Sequence, residues 1–203
     1  GTAGHINPGL SIANTIKKND PTAQIIFVGT KRGLENDLVP RSGYELKTIE
    51  AYGITLSNTT KAFKILKGYK QAKSIIKEFK PDIVIGVGGY VSAPVIYAAH
   101  KLGVKCCIHE QNSSFGITNK FASKYADKVF VSFKSLEEKM NDKKYIYTGN
   151  PCSENAIKTE AANKTKFGLL ESKKLVLIVM GSLGSKTIND KMKNMLTLFN
   201  NKE

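Results

Sequence analysis

The chain has 203 residues, 41% of them hydrophobic, enough for one complete domain with a packed core and part of another. Its formal net charge of +14 calls for an anionic partner or surface, yet Arg32 and Arg41 are the only arginines and no nucleic-acid reader motif is present, which disfavours a nucleic-acid partner. No apolar run approaches the ~18–20 residues that span a bilayer, and Cys106, Cys107 and Cys152 match no zinc spacing, so they read as reduced thiols.

The chain opens on Gly1-Thr2-Ala3-Gly4-His5, followed by the periodic apolar residues Leu10, Ile12, Ala13 and Ile16. This reads as a glycine turn feeding a helix, a place where backbone N–H groups and the helix dipole can hold an anion. His5 at its mouth either exchanges protons with a ligand or only caps the helix. In a βαβ fold such a turn follows a strand, so a strand is expected ahead of residue 1. Residues 24–28 (QIIFV) predict a buried strand, and a short helix ends at Leu38-Val39-Pro40. Residues 44–49 predict a third strand, and 51–60 read as loop.

Residues 61–80 predict a helix with two faces. Ala72, Ile75, Ile76 and Phe79 share a side that can pack on a sheet, whereas Phe63, Leu66 and Tyr69 form a stripe flanked by Lys64, Lys67 and Lys70. That stripe is either a patch for an anionic membrane surface or a solvated face tucked under a loop. Pro81-Asp82 leads into Ile83-Val84-Ile85, a buried parallel strand, then the glycine loop 86–92 and a helix from about Ala93 to Leu102.

The next strand, 104–108, delivers His109-Glu110-Gln111-Asn112 at its carboxyl end, the usual position of the ligand crevice in an open α/β sheet. Residues 115–125 predict a helix, and 128–131 and 145–147 predict strands. Residues 152–173 read as a polar connection. A third strand–glycine–helix unit follows, with a strand at 175–180, the loop Gly181-Ser182-Leu183-Gly184-Ser185 and a helix to about Phe199. One such unit cannot bury a core of its own, so the chain is expected to be a fragment of a two-domain protein.

The glycine loops fit neither a dinucleotide fingerprint nor a P-loop, and no D-x-D pair or His/Cys cluster offers a metal site. What remains is metal-free transfer from a sugar nucleotide, in which a base deprotonates an acceptor hydroxyl while helix dipoles stabilise the departing diphosphate. His5 and Glu110 are the placed titratable candidates, although Glu110 can equally hold a loop by accepting backbone N–H bonds.

The stretches GTAGHINP (1–8), GLENDLVP (33–40), PDIVIGVGGYVSAP (81–94), IHEQNSSFGITNK (108–120), TGNP (148–151) and MGSLGS (180–185) closely resemble the MurG family of bacterial cell-wall glycosyltransferases. The resemblance implies an α/β chain of GT-B type. Residues 1–151 would form an acceptor-binding Rossmann-like domain lacking its first strand, 152–173 a connection, and 174–203 the start of a donor-binding domain. It also implies transfer of N-acetylglucosamine from UDP-N-acetylglucosamine to lipid I, giving lipid II, at the cytoplasmic face of the bacterial membrane and without a cofactor or metal.

By the same resemblance, Thr2, Ala3, Gly4, Asn112 and Ser182 would contact the donor, and His5 or Glu110 would be the base. Gly86, Gly88, Gly89 and Tyr90 would face the acceptor diphosphate, and the stripe on residues 63–70 would dock on the membrane. Ala3, Leu183 and Cys152-Ser153 depart from the family pattern, the last pair where an arginine is usual two positions after the proline. The alternative is a non-catalytic half that binds acceptor and membrane.

Overall fold

The computed structural model describes residues 2–52, 59–172, 174–176, 178 and 184–196. It divides into one unit over residues 1–158 and another over 159–203. In the first unit helices and parallel strands alternate: α1 (Ala3–Asn19), β1 (Ile26–Gly29), α2 (Glu35–Arg41), β2 (Glu45–Thr48), α3 (Thr59–Phe79), β3 (Ile83–Gly86) and α4 (Gly89–Lys101). Then follow β4 (Lys105–Glu110), α5 (Ile117–Ala122), β5 (Lys128–Val131), α6 (Lys134–Met140), β6 (Tyr145–Tyr147) and α7 (Ser153–Lys158). Every strand pair is parallel, and the strands form two sheets, β1-β2 and β3-β4-β5-β6. Parallel neighbours need helical crossovers, which sets the α/β class expected from the sequence.

The core lies between α3, α4 and α5 and the larger sheet, where Ala72, Ile76, Ile96, Ala98, Ala99, Ile108 and Val129 are buried. Gly86 at the end of β3 lets α4 press closely on the strand: a side chain there would meet Ile96 and Ile108 at 3.1 and 3.2 Å. β4 is the central element, and all of its residues from Cys106 to Glu110 are buried. Burial drives the Cys107 thiol up to about 11, with the neighbouring Cys106 and Asp127 adding to it, in keeping with an inert reduced thiol.

Several elements differ from expectation. α1 starts inside the glycine turn, at Ala3, because Thr2 already has extended N-cap geometry. α4 likewise starts at Gly89 rather than near Ala93, since Gly88 at φ 96° ends the loop at once. β4 runs two residues further than expected, so His109 and Glu110 belong to the strand and pair with β5. The helix expected over 115–125 shortens to α5, because Gly116 is extended and caps it. α6 was not expected; only Leu136 of it is buried, too little apolar periodicity to announce a helix.

β1 and β3, expected to be buried, have half-buried interiors instead, and Ile83 is 51% exposed. Each has a sheet partner on one edge alone among the described residues.

In the second unit a 3₁₀ turn at Lys164–Phe167 is capped by Asn163, whose side chain accepts from the Thr165 N–H at 2.9 Å, and α8 covers Lys186–Leu196. The strand expected at 175–180 has no counterpart among the described residues there: Leu175, Val176 and Ile178 are exposed and carry no ladder. A strand gains its stability from neighbours, and no strand is present among the described residues of this unit.

Candidate active site

The carboxyl ends of β1, β3 and β4 open into a cavity of about 710 Å³. Its wall includes Thr2, His5, Gly29, Glu35, Gly88, Gly89, Tyr90, Glu110, Asn112 and Asn119, with Lys31 and Arg32 supplying cations. A crevice at this end of a parallel sheet follows from the fold, because successive strands deliver their loops there.

His5 sits one turn into α1. The Thr2 hydroxyl lies 3.1 Å from its Nδ1, and the ring rests against Gly88 so closely that a side chain there would stand 2.5 Å from His5 Cδ2 and 3.0 Å from Nε2. The first two glycine turns of the sequence therefore meet, and the second supplies the space that the histidine of the first occupies. With Nδ1–H donating to Thr2, the Nε2 lone pair is left on the side facing Gly88. Burial pushes the His5 imidazole below its ordinary value; the Glu110 carboxylate pulls the other way without reversing the shift. The ring is thereby kept neutral near pH 7, as a base requires.

Glu110 is 1% exposed and fully engaged. Oε1 accepts from the Asn112 backbone N–H at 3.0 Å and from Asn112 Nδ2 at 2.8 Å. Oε2 accepts from the Gly116 N–H at 3.1 Å and from Asn119 Nδ2 at 3.0 Å. A carboxylate holding four donors anchors the 110–119 loop and offers no lone pair directed at a substrate. Asn112 is exposed, with its amide nitrogen spent on Glu110 and its carbonyl oxygen left as an acceptor.

Beside it, His109 bonds through Nε2 to the Gly149 carbonyl at 3.0 Å and through Nδ1 to Gln111 Nε2 at 3.1 Å. Burial lowers its pKa, although the Gly149 bond and Glu110 oppose the shift. It ties the HEQN strand end to the turn of TGNP.

Of the expected site residues, Thr2, His5, Gly88, Gly89, Tyr90, Glu110 and Asn112 share one cavity. Ala3 and Gly4 form the first turn of α1 beside it. Gly86 does not reach the cavity: it is buried beneath α4, and its lack of a side chain serves packing. Ser182 lies outside the described residues, as do the side chains of Phe63 and Lys64. In the lysine-edged stripe Leu66 is 47% exposed, Tyr69 turns inward onto Tyr97 with ring centroids 5.4 Å apart, and Lys67 pairs with Glu50.

Three residues not singled out in the sequence contribute. Buried Asn119 bridges Glu110 and the His109 carbonyl at 3.3 Å, and its Oδ1 is buried without a partner among the described residues. Ser92 braces the Gly88 turn, donating to its carbonyl at 2.7 Å and accepting from its N–H at 3.0 Å. Glu35 holds Thr30 through both the backbone N–H at 3.0 Å and the hydroxyl at 2.8 Å. An amide nine residues after a strand-end carboxylate, at the start of the next helix, was the available signal for Asn119. Among the described residues no three His, Cys, Asp or Glu side chains gather as a metal site.

The glycosyltransferase family 28 N-terminal domain matches residues 1–131. The chain is 43% identical, over 202 residues, to a UDP-N-acetylglucosamine--N-acetylmuramyl-(pentapeptide) pyrophosphoryl-undecaprenol N-acetylglucosamine transferase of Halalkalibacterium halodurans, covering 97% of this chain and 56% of the relative. It is 44% identical over 196 residues to the protein of the same name from Acetivibrio thermocellus, covering 93% and 53%. The chain thus spans about half the length of the curated relatives it matches. Among solved structures it resembles Acinetobacter baumannii MurG, with a TM-score of 0.64 at 31% identity over 74% of this chain and 42% of that one. A UDP complex of S. aureus MnaA shares the fold, with a TM-score of 0.58 at 14% identity over 94% and 49%. With the parallel Rossmann-like sheet, the paired glycine turns and the family match over residues 1–131, this chain belongs to glycosyltransferase family 28 through its N-terminal domain.

Proposed function

We propose that the chain is the acceptor-side half of a transferase that moves N-acetylglucosamine from UDP-N-acetylglucosamine to lipid I, giving lipid II. The observation that carries this reading is the seat of His5: an imidazole held by Thr2, resting on Gly88 and kept neutral by burial at the mouth of the crevice. The printed names of the relatives supply the substrate pair.

In the proposed reaction an acceptor hydroxyl attacks the anomeric carbon of the donor sugar and its proton passes to His5 Nε2. The bond from that carbon to the diphosphate oxygen breaks with inversion, and UDP carries away the electron pair. His5 is the base; Glu110, with its four donors, is a positioning residue whose negative charge favours the imidazolium as it forms. Gly88, Gly89 and Tyr90, at the start of α4, face the acceptor diphosphate with the helix dipole behind them, and Gly86 supports them from beneath. Thr2, Ala3, Gly4 and Asn112 meet the donor, joined by Ser182 of a second domain that begins at residue 174 after the 152–173 connection.

Peripheral docking on an anionic membrane, at its cytoplasmic face, belongs to the same proposal. Exposed Leu66, Lys67 and Lys70 on α3 support it, with Phe63 and Lys64 completing the stripe, whereas Tyr69 packs inward on Tyr97 and is not part of it. No described helix is long and apolar enough to cross a membrane.

The test is UDP release by a protein extended to the length of its relatives, with a lipid I analogue as acceptor. Release that requires the acceptor is expected, and release indifferent to it contradicts the reading. A Leu66→Glu variant is expected to lose binding to anionic vesicles while keeping its turnover of a soluble acceptor.

A further inference from the structure

The loop from β1 to α2 forms part of the wall of the catalytic cavity and brings Lys31 and Arg32 to it, both exposed. Among the described residues they are the only lysine and arginine on that wall, and neither has an ion-pair partner. The acids that line the same cavity are committed elsewhere: Glu35 to Thr30, Glu110 to the donors of its own loop, and Glu50 to Lys67. The two cations are left to whatever enters the crevice.

The loop that carries them is braced. Buried Glu35 accepts from the Thr30 N–H, and the Thr30 hydroxyl lies 2.8 Å from both Glu35 Oε1 and the Arg32 carbonyl. Asn36 Nδ2 donates to the Thr30 and Gly33 carbonyls at 3.0 and 3.1 Å. A side chain at Gly29 would stand 2.7 Å from Glu35 Cγ, so β1 ends in glycine where this brace passes. A fixed backbone reduces the entropy lost when Lys31 and Arg32 close on a ligand.

The surroundings select among anions. Phe27 of β1, Val39 of α2 and Leu46 of β2 line the cavity from the elements that flank the loop. Cations beside such an apolar floor suit a carboxylate at the end of an apolar peptide. A diphosphate spreads its charge over several oxygens and is better served by the N–H groups at the start of α4. The cavity, at about 710 Å³, also takes a ligand much larger than a diphosphate.

We propose that Lys31 and Arg32 bind the terminal carboxylate of the acceptor's peptide. The Arg32 fork can engage both carboxylate oxygens, and Lys31 adds a point charge. The proposal rests on the transferase reading, whose acceptor is a lipid-linked muramyl-pentapeptide. Its peptide is joined to the sugar through its amino end, so it presents a free carboxylate as well as the diphosphate.

The test is calorimetric binding to the 203-residue protein of a muramyl-pentapeptide diphosphate on a short, soluble alkyl chain. Two forms are compared, one ending in the free carboxylate and one in a carboxamide. The parent is expected to bind the carboxylate about tenfold more tightly at low salt, with the preference shrinking as salt is added. The double variant Lys31→Gln, Arg32→Gln is expected to bind the two forms alike. A parent without the preference overturns the proposal and leaves the transferase reading standing. So does a double variant that keeps the preference, or one that weakens both forms equally, because the pair then serves the diphosphate. A parent that binds neither form contradicts the transferase reading itself, and this proposal falls with it.

Discussion

Replacing Gly88 by alanine tests whether two distant glycine turns were built around one histidine. Gly88 has φ 96° and ψ −173°, a region open essentially to glycine, where an L-residue is strained by about 1–3 kcal/mol. The new methyl would stand 2.5 Å from His5 Cδ2 and 3.0 Å from Nε2, so the ring has to leave its place. Because those atoms are the far end of a side chain, the ring swings rather than the backbone, at about 0.5–1.5 kcal/mol of rotamer strain together with the Thr2 contact. The sum is about 1.5–4.5 kcal/mol, which for a domain of this size lowers the melting temperature by roughly 3–18 °C.

The diagnostic readout is the His5 titration followed by NMR. In the parent, burial holds it below the ordinary 6.5; in Gly88→Ala the displaced ring gains solvent and its midpoint rises toward that value. A variant whose His5 titrates as in the parent, with an unchanged melting temperature, refutes the packing of His5 on Gly88.

The same logic extends to the neighbouring groups. Glu110→Gln keeps the shape of the side chain but sets an N–H₂ against donors on the 110–119 loop; a loss of about 2–4 kcal/mol is expected in urea unfolding. It also removes the charge that raises the His5 pKa, so His5 should titrate still lower, and an upward move would contradict the arrangement. Both His5 and His109 have folded-state pKa values lowered by burial, so below the ordinary 6.5 the unfolded chain takes up protons first. Stability should therefore hold above that pH and fall between 6.5 and the lowered folded values; a urea midpoint equal at pH 7.5 and 5.5 would count against it. Burial raises the Cys106 and Cys107 pKa values, the latter to about 11, so a thiol reagent at pH 8 should modify Cys152 well before either in the native protein.

The strands were legible where an apolar run is bracketed by breakers, as in Pro81-Asp82-Ile83-Val84-Ile85-Gly86, and the crevice followed from polar residues stacked after Ile108. Helix starts were not, because Gly4 and Gly89 look like loop although each already lies in a first turn. α6 was hidden because Lys134–Met140 sets a single buried leucine among charges. β1 and β3 are half-buried because each has a sheet partner on one edge alone among the described residues, which no local pattern reports.

In the site, His5 drew notice as the titratable group beside a glycine turn, with capping of the helix as its other reading. Glu110 looked like a rival base since a carboxylate at a strand end has the right chemistry. The fold alone brings four donors onto it, one of them from Asn119, nine residues away in sequence.

The account turns on His5 as the base, and the measurement that reaches it most directly is acceptor-dependent UDP release by the extended protein, compared with its His5→Ala variant across pH 5 to 9. The account predicts a loss of about 10²–10⁴ in kcat, together with the disappearance of an acid limb that lies below pH 6.5 in the parent. A variant that keeps its rate and the same acid limb would contradict it, and would move the proton transfer to a group other than His5.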